Sequence, residues 1–281
     1  TLQLIELKIL RLSFIKAAQM SAMIRFCLAL LVTAATACAD EPKQPQITEI
    51  YQPRTLKSTK SESQELKYRL LIPENYEAAA DARFPLVLFL HGAGERGEDN
   101  ARQLRHAAGE FAKPEHRRKY PCFVAAPQCP SGRWWTDSLD LVAELLTQLQ
   151  KDYRVDARRI YVTGLSMGGF GTFELATRSP ELFAAAAPIC GGGDPTRAKS
   201  LTELPLWVFH GDADRVVPAG LSRTMVKSIQ EAGGMPKFTE YPGVGHDCWT
   251  QTYADPAFHE WLFAQQKPEN KPADPSTDPS K

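Results

Sequence analysis

No charge of one sign dominates this chain: 33 lysines and arginines meet 33 aspartates and glutamates across 281 residues. Without a basic field there is nothing to hold a phosphate backbone, so nucleic-acid binding is not expected. Cysteine is scarce, with six in all, and no Cys-x-x-Cys pair or histidine cluster suggests a metal site. No internal repeat and no linker-like break interrupts the body of the chain. Long apolar runs are missing too: the N-terminal run within Ile24–Ala37 is too short to span a bilayer, so no integral membrane span is expected. The remaining composition, 43% apolar and 23% charged, is ordinary for a globular protein and excludes collagen-like, coiled-coil and wholly disordered classes.

The two ends differ from the body. In residues 1–39, Arg25 precedes the apolar run, and Ala37-Cys38-Ala39 supplies a small-x-small site before Asp40. This is the layout of a secretory signal peptide, with Met20 or Met23 as a start, and implies a secreted or periplasmic protein. Cys38 after Ala35-Thr36-Ala37 also resembles a weak lipoprotein box, so a lipid anchor at Cys38 is the alternative. Residues 267–281 are Pro-rich, polar and free of aromatics, and read as a disordered tail. Residues 40–266 then form the folded domain, long enough to bury a full core. Export fits disulfides among Cys122, Cys129, Cys190 and Cys248, but the sequence does not choose among three pairings, or between them and buried free thiols.

Within the domain, short apolar runs alternate with amphipathic stretches. Strands are expected at residues 68–73, 86–90, 123–126, 160–163, 183–189, 206–209 and 237–241. Several are apolar at consecutive positions, the mark of a parallel sheet covered on both faces. Helical spacing appears in Leu139, Val142, Leu145, Leu146 and Leu149, across residues 169–178 and 221–232, and in Phe258, Trp261, Leu262 and Phe263. The β-α-β-α order predicts one α/β domain with a doubly wound, mostly parallel sheet flanked by helices.

The chemistry concentrates in three loops. Gly164-Leu-Ser-Met-Gly168 lies between an expected strand and an expected helix. A sharp turn at Ser166 needs neighbours without side chains, and it lifts the hydroxyl to the positive end of a helix. A serine hydroxyl needs a base, and the base needs a carboxylate. Of six histidines, His91 and His210 precede glycines at strand ends and read as loop-shaping. His106 and His116 fall in polar stretches read as exposed, and His259 lies inside the last helix pattern. His246 stands alone in a loop after the final strand, on the side where parallel sheets build their sites, and is the expected base. The loop His210-Gly-Asp-Ala-Asp-Arg-Val-Val-Pro218 offers Asp212 and Asp214; Asp214 is the expected acid and Asp212 a turn residue. The backbone N–H groups of Met167 and, from the glycine-rich loop 91–97, Ala93 are the expected oxyanion donors.

Together, His91-Gly-Ala-Gly-Glu-Arg-Gly97, Gly164-Leu-Ser-Met-Gly168, His210–Pro218 and Gly245-His246 resemble the α/β-hydrolase superfamily. The likeness is to its dienelactone-hydrolase, prolyl-oligopeptidase and phospholipase/carboxylesterase branches, and within them to secreted bacterial feruloyl and acetylxylan esterases. The resemblance implies a Ser-His-Asp serine carboxylesterase without metal or organic cofactor, acting through an acyl-enzyme on acyl or feruloyl esters, some carbohydrate-linked. The short gap between Cys190 and the strand at Leu206 leaves no room for a helical lid. An open cleft lined by Trp134, Trp135 and Trp249 is therefore expected, with Trp135 and Trp249 as substrate-binding residues. A peptidase or acyltransferase on the same triad is the alternative. An inactive binding protein on the same fold is disfavoured because Ser166, His246 and both candidate acids are present.

Overall fold

The computed structural model describes residues 46–61 and 64–269. The expected leader with its Cys38 anchor point, and residues 270–281 of the expected tail, lie outside the described residues. Lys267, at the start of that tail, is bonded to the fold: its N–H donates to the Arg158 carbonyl, and Arg158 Nε donates back to its carbonyl, both at 3.0 Å.

Among the described residues, eight strands form one sheet in the order β1-β2-β4-β3-β5-β6-β7-β8. They are β1 Gln52–Lys57, β2 Glu65–Leu71, β3 Phe84–Leu90, β4 Phe123–Pro127, β5 Val155–Leu165, β6 Ala185–Ile189, β7 Trp207–Gly211 and β8 Lys237–Tyr241. β1 and β2 run antiparallel to their neighbours, and β4 through β8 with β3 are parallel. The consecutive apolar residues of β3 are explained by its two faces. Leu86, Leu88 and Leu90 point into one core, and Val87 and Phe89 into the other. Full burial of each such side chain contributes about 1.5–3 kcal/mol.

The helices cover both faces. On the first lie α4 (Leu139–Asp152), α5 (Met167–Arg178) and α6 (Gly220–Glu231), presenting Val142, Leu145, Phe173, Met225 and Ile229 to the sheet. On the second lie α2 (Ala107–Ala112), α7 (Trp249–Ala254) and α8 (Pro256–Ala264), presenting Phe111, Tyr253, Phe258 and Leu262. Among the described residues, the remaining α-helices are the four-residue α1 (Ile47–Ile50) and α3 (Pro114–Lys119). Between β6 and β7 the chain makes only a 3₁₀ segment, Pro195–Leu201, so no helical lid grows there. Among the described residues, no helix is long and apolar enough to cross a membrane.

This doubly wound architecture is the expected one. β5 begins at Val155 rather than Ile160, and β1, α1, α2, α3 and α7 are additions to the elements expected from the sequence. The parallel arrangement brings the C-terminal ends of β3, β5, β7 and β8 to one rim, where the loops 91–97, 164–168, 212–218 and 242–248 emerge.

Candidate active site

Ser166 occupies the turn between β5 and α5 with φ 54° and ψ −117°, a region that non-glycine residues rarely enter. Its N–H donates to the Ile189 carbonyl at 3.0 Å and approaches the Cys190 sulfur at 3.2 Å, which anchors the turn to the end of β6. The flanking glycines are steric necessities. A Cβ on Gly164 would stand 2.5 Å from the Gly168 carbonyl oxygen, and one on Gly168 only 1.9 Å from that of Leu90. Helix and strand meet backbone to backbone, and the hydroxyl projects above the rim.

The His246 and Asp214 loops converge on that hydroxyl. His246 Nε2 lies 2.9 Å from Ser166 Oγ, and its Nδ1 lies 2.7 Å from Asp214 Oδ2. A carboxylate accepts, so Nδ1 carries the ring proton and Nε2 is left with a lone pair facing the serine. Asp214 is buried, which pushes its carboxyl upward. Hydrogen bonds from His246 and from the Val217 and Val216 amides outweigh burial and hold it below the ordinary carboxylate value. The amides reach the other oxygen, Oδ1, at 2.9 and 2.8 Å. Asp212 does not brace its own turn. Its Oδ1 accepts from the Gly243 amide at 2.6 Å, and the Ala213 amide donates to the Val244 carbonyl at 3.0 Å, so the acid loop is clasped to the base loop.

His210 is fully buried beneath the acid. Its Nε2 donates to the Val217 carbonyl at 2.9 Å and lies 3.3 Å from Asp214 Oδ2, a loop-shaping position close to the site. His91 has the same character. Its Nε2 accepts from the Cys129 amide at 2.9 Å, which leaves Nδ1–H for the Gly92 carbonyl, and burial lowers its pKa to about 4. It stays neutral and fixes the start of loop 91–97. Arg96 Nε donates to the Ala93 carbonyl at 2.9 Å and stiffens the same loop. Ala93 opens a short 3₁₀ turn and Met167 opens α5, so neither N–H has an intrahelical acceptor. Gly92 packs against Leu165, which brings the Ala93 turn beside the serine turn.

Two further expectations, on Trp135 and His116, are corrected, and the question left open by the cysteines is answered. Trp135 is not a wall of the cleft. It is 1% exposed, its Nε1 donates to the His91 carbonyl at 2.9 Å, and its ring packs against Gly171, so it is a core residue supporting loop 91–97. No disulfide forms among the described cysteines: Cys122, Cys129, Cys190 and Cys248 are buried free thiols. Burial pushes the Cys122 thiol up to about 12 and raises the Cys190 thiol as well, with the neighbouring Cys248 adding to the latter. His116 is buried rather than exposed, paired through Nε2 to His259 Nδ1 at 3.1 Å. Trp249, by contrast, lies at the rim, half-buried, with its ring 5.2 Å from His246 and perpendicular to it. Trp134 is exposed. Among the described residues, no group of three or more His, Cys, Asp or Glu is placed to hold a metal ion.

The dienelactone hydrolase family model matches residues 126–260. The crystal structure of a thermostable esterase superposes with a TM-score of 0.74 at 41% identity, covering 79% of this chain and 64% of that one. Acyl-protein thioesterase 1 of Neurospora crassa is 32% identical over 208 residues, which cover 58% of this chain and 80% of that protein. A bifunctional acetylxylan esterase/xylanase of Neocallimastix patriciarum is 30% identical over 82 residues, or 29% of this chain and 12% of that protein. The chain therefore spans a small part of the bifunctional relative and slightly under two thirds of the thermostable esterase.

Proposed function

Starting from a chain that belongs to the α/β-hydrolase superfamily and carries a dienelactone hydrolase family domain, we propose a serine hydrolase that cleaves carboxylic esters through an acyl-enzyme intermediate. The observation that carries this reading is the unbroken contact from Ser166 Oγ through the His246 ring to Asp214, at 2.9 and 2.7 Å.

In the proposed cycle Ser166 Oγ attacks the ester carbonyl carbon and passes its proton to His246 Nε2. Asp214 holds the opposite edge of the ring and stabilises the imidazolium. The carbonyl oxygen becomes negative as the tetrahedral intermediate forms, and the free N–H groups of Ala93 and Met167 are the donors assigned to it. The positive end of α5 adds to that field. The intermediate collapses, His246 returns the proton to the departing alkoxide, and the acyl group stays on Ser166. Water, deprotonated by the same nitrogen, then releases the acid and restores the serine. One removed oxyanion donor typically costs 10²–10³-fold in turnover.

The substrates assigned here are acyl or feruloyl esters of carbohydrates outside the cytoplasm. Trp249 at the rim, the lack of a helical insertion between β6 and β7 and the leader-like residues 1–39 support that choice. A fluorophosphonate probe tests the chemistry: it should label the parent protein and leave Ser166→Ala unlabelled. A panel of p-nitrophenyl esters, methyl ferulate, acetylated xylan and dipeptide amides tests the class. Hydrolysis of amides without esters would overturn the ester reading.

A further inference from the structure

A second imidazole–carboxylate pair stands on the same rim. His106 holds φ 62° and ψ −120°, close to the strained conformation of Ser166 itself. Such a conformation costs on the order of 1–3 kcal/mol and persists where the surroundings enforce it. Here they do. Glu95, two residues beyond Ala93, is buried, and its Oε1 faces His106 Nε2 at 3.5 Å. Among the described residues His106 is the only ion-pair partner of that carboxylate. The Glu95 side chain lies over Gly92, whose own neighbour is Leu165, so the pair adjoins the serine turn. On its other side the His106 ring meets the edge of Trp249 at 5.5 Å, and Trp249 meets His246 at 5.2 Å. One indole thus separates the two imidazoles. The indole N–H is buried with no hydrogen-bond partner, so the ring is not held in place by that group.

Resting on the ester reading above, we propose that His106, oriented by Glu95, is a specificity residue that accepts a hydrogen bond from a hydroxyl on the alcohol half of the substrate. With Nε2 turned to the carboxylate, a neutral ring keeps the Nδ1 lone pair for a donor from outside. The His106 side chain is about one third exposed, enough for a ligand to reach it. The alcohol half is the relevant one because the departing alkoxide is protonated by His246, and Trp249 and His106 extend the surface beyond that ring. Contacts of this kind are often long in an empty site and tighten with substrate bound. The ligand class is a hydroxylated alcohol, either a sugar ring or an acyclic polyol.

Matched esters separate these sources. Monoacetylated methyl xyloside is compared with cyclohexyl acetate, and glycerol monoacetate with propyl acetate, following acid release at pH 8. In His106→Phe, kcat/KM for the hydroxylated member of at least one pair should fall about tenfold, with its plain counterpart within about twofold. The pair that responds identifies the sugar or the polyol. His106→Asn keeps an acceptor and tolerates positive φ, so it should recover part of the preference. Glu95→Gln should lie between parent and His106→Phe. Equal losses on all four esters would show that His106 only braces loop 91–97, and an unchanged ratio would also overturn the assignment. Failure of the parent to take a fluorophosphonate or hydrolyse any plain ester would instead refute the ester reading, and the subsite with it.

Discussion

Replacing Gly168 by alanine probes how the serine turn is built. The new Cβ would lie 1.9 Å from the Leu90 carbonyl oxygen, 2.5 Å from its carbon and 2.8 Å from the His91 carbonyl oxygen. The Leu90 atoms belong to β3, which is paired to β4 as far as Leu88 and to β5 through Leu90, and His91 follows directly, so this backbone cannot easily yield. The helix must move instead, by about 1 Å to reach a tolerable contact. Overpacking of this kind costs about 1–3 kcal/mol, which for a domain of this size lowers Tm by roughly 4–8 °C at the middle of that range. The activity loss should be larger in relative terms. Ser166 and Met167 immediately precede the displaced residue, and a misplacement of about 1 Å typically costs on the order of 10²-fold in rate. Circular-dichroism melting and kcat/KM on p-nitrophenyl butyrate measure the two effects. Gly109→Ala is the control: it lies within α2 with nothing inside 4 Å of its Cβ, and should be neutral or stabilise by up to about 1 kcal/mol. A Gly168→Ala protein with parental Tm and turnover within threefold would refute the close-approach argument.

Asp214→Asn should reduce kcat by about 10³–10⁴-fold, because the amide no longer secures the tautomer of His246, whereas Asp212→Asn should stay within a few-fold; steady-state kinetics on both compares them directly, and the reverse order would reassign the acid. Acid should destabilise the fold through its buried imidazoles. Burial lowers His91 to about 4 and His116 to about 3, while in the unfolded chain both titrate near 6.5. Between pH 6.5 and 4 the unfolded state therefore binds more protons, and stability is lost as pH falls, on the order of 3 kcal/mol for His91 alone. Urea unfolding at pH 7, 5.5 and 4 reads this, and a flat midpoint would contradict the buried neutral rings. Trp135→Ala should cost about 3–5 kcal/mol, seen as a lowered urea midpoint, since it empties a core position and removes a bonded indole. Thiol titration of the denatured protein should give the same count with and without prior reduction.

Much of the fold was legible because buried parallel strands leave a distinctive trace. β3 is apolar at consecutive positions since both of its faces are covered, and β8 matches its expected span of residues 237–241. β1 left no such trace: only Leu56 of its six residues is buried, so an edge strand reads like a loop. Helices α2 and α3 have six residues each, too few for a period to emerge, and His116 was hidden within that polar stretch. At the candidate site, Ser166, His246 and Asp214 could be picked out because each follows its own strand and the loop residues around them are small or turn-forming. The tryptophans could not be sorted. Trp134 and Trp135 are neighbours at the start of a 3₁₀ turn, one 52% and the other 1% exposed, and no simple period assigns such a pair to its faces. The cysteines left the question open, since an even count fits both a bridge and a buried thiol.

The clasp between residues 211–213 and 243–245 divides the rim into a part that can change and a part that cannot. A Cβ on Gly211 would stand 2.3 Å from the Val244 carbonyl oxygen, so the two segments are in backbone contact and an insertion in either would pull acid and imidazole apart together. The stretch from Gly94 to Arg105 is tied elsewhere: Arg96 braces the Ala93 carbonyl, and the Gln128 side chain holds Glu95 and Asn100. Exposed positions of that stretch, Glu98 and Arg105 among them, can be varied in identity with the acid and base loops left in register, whereas a change of length there would shift the Ala93 turn.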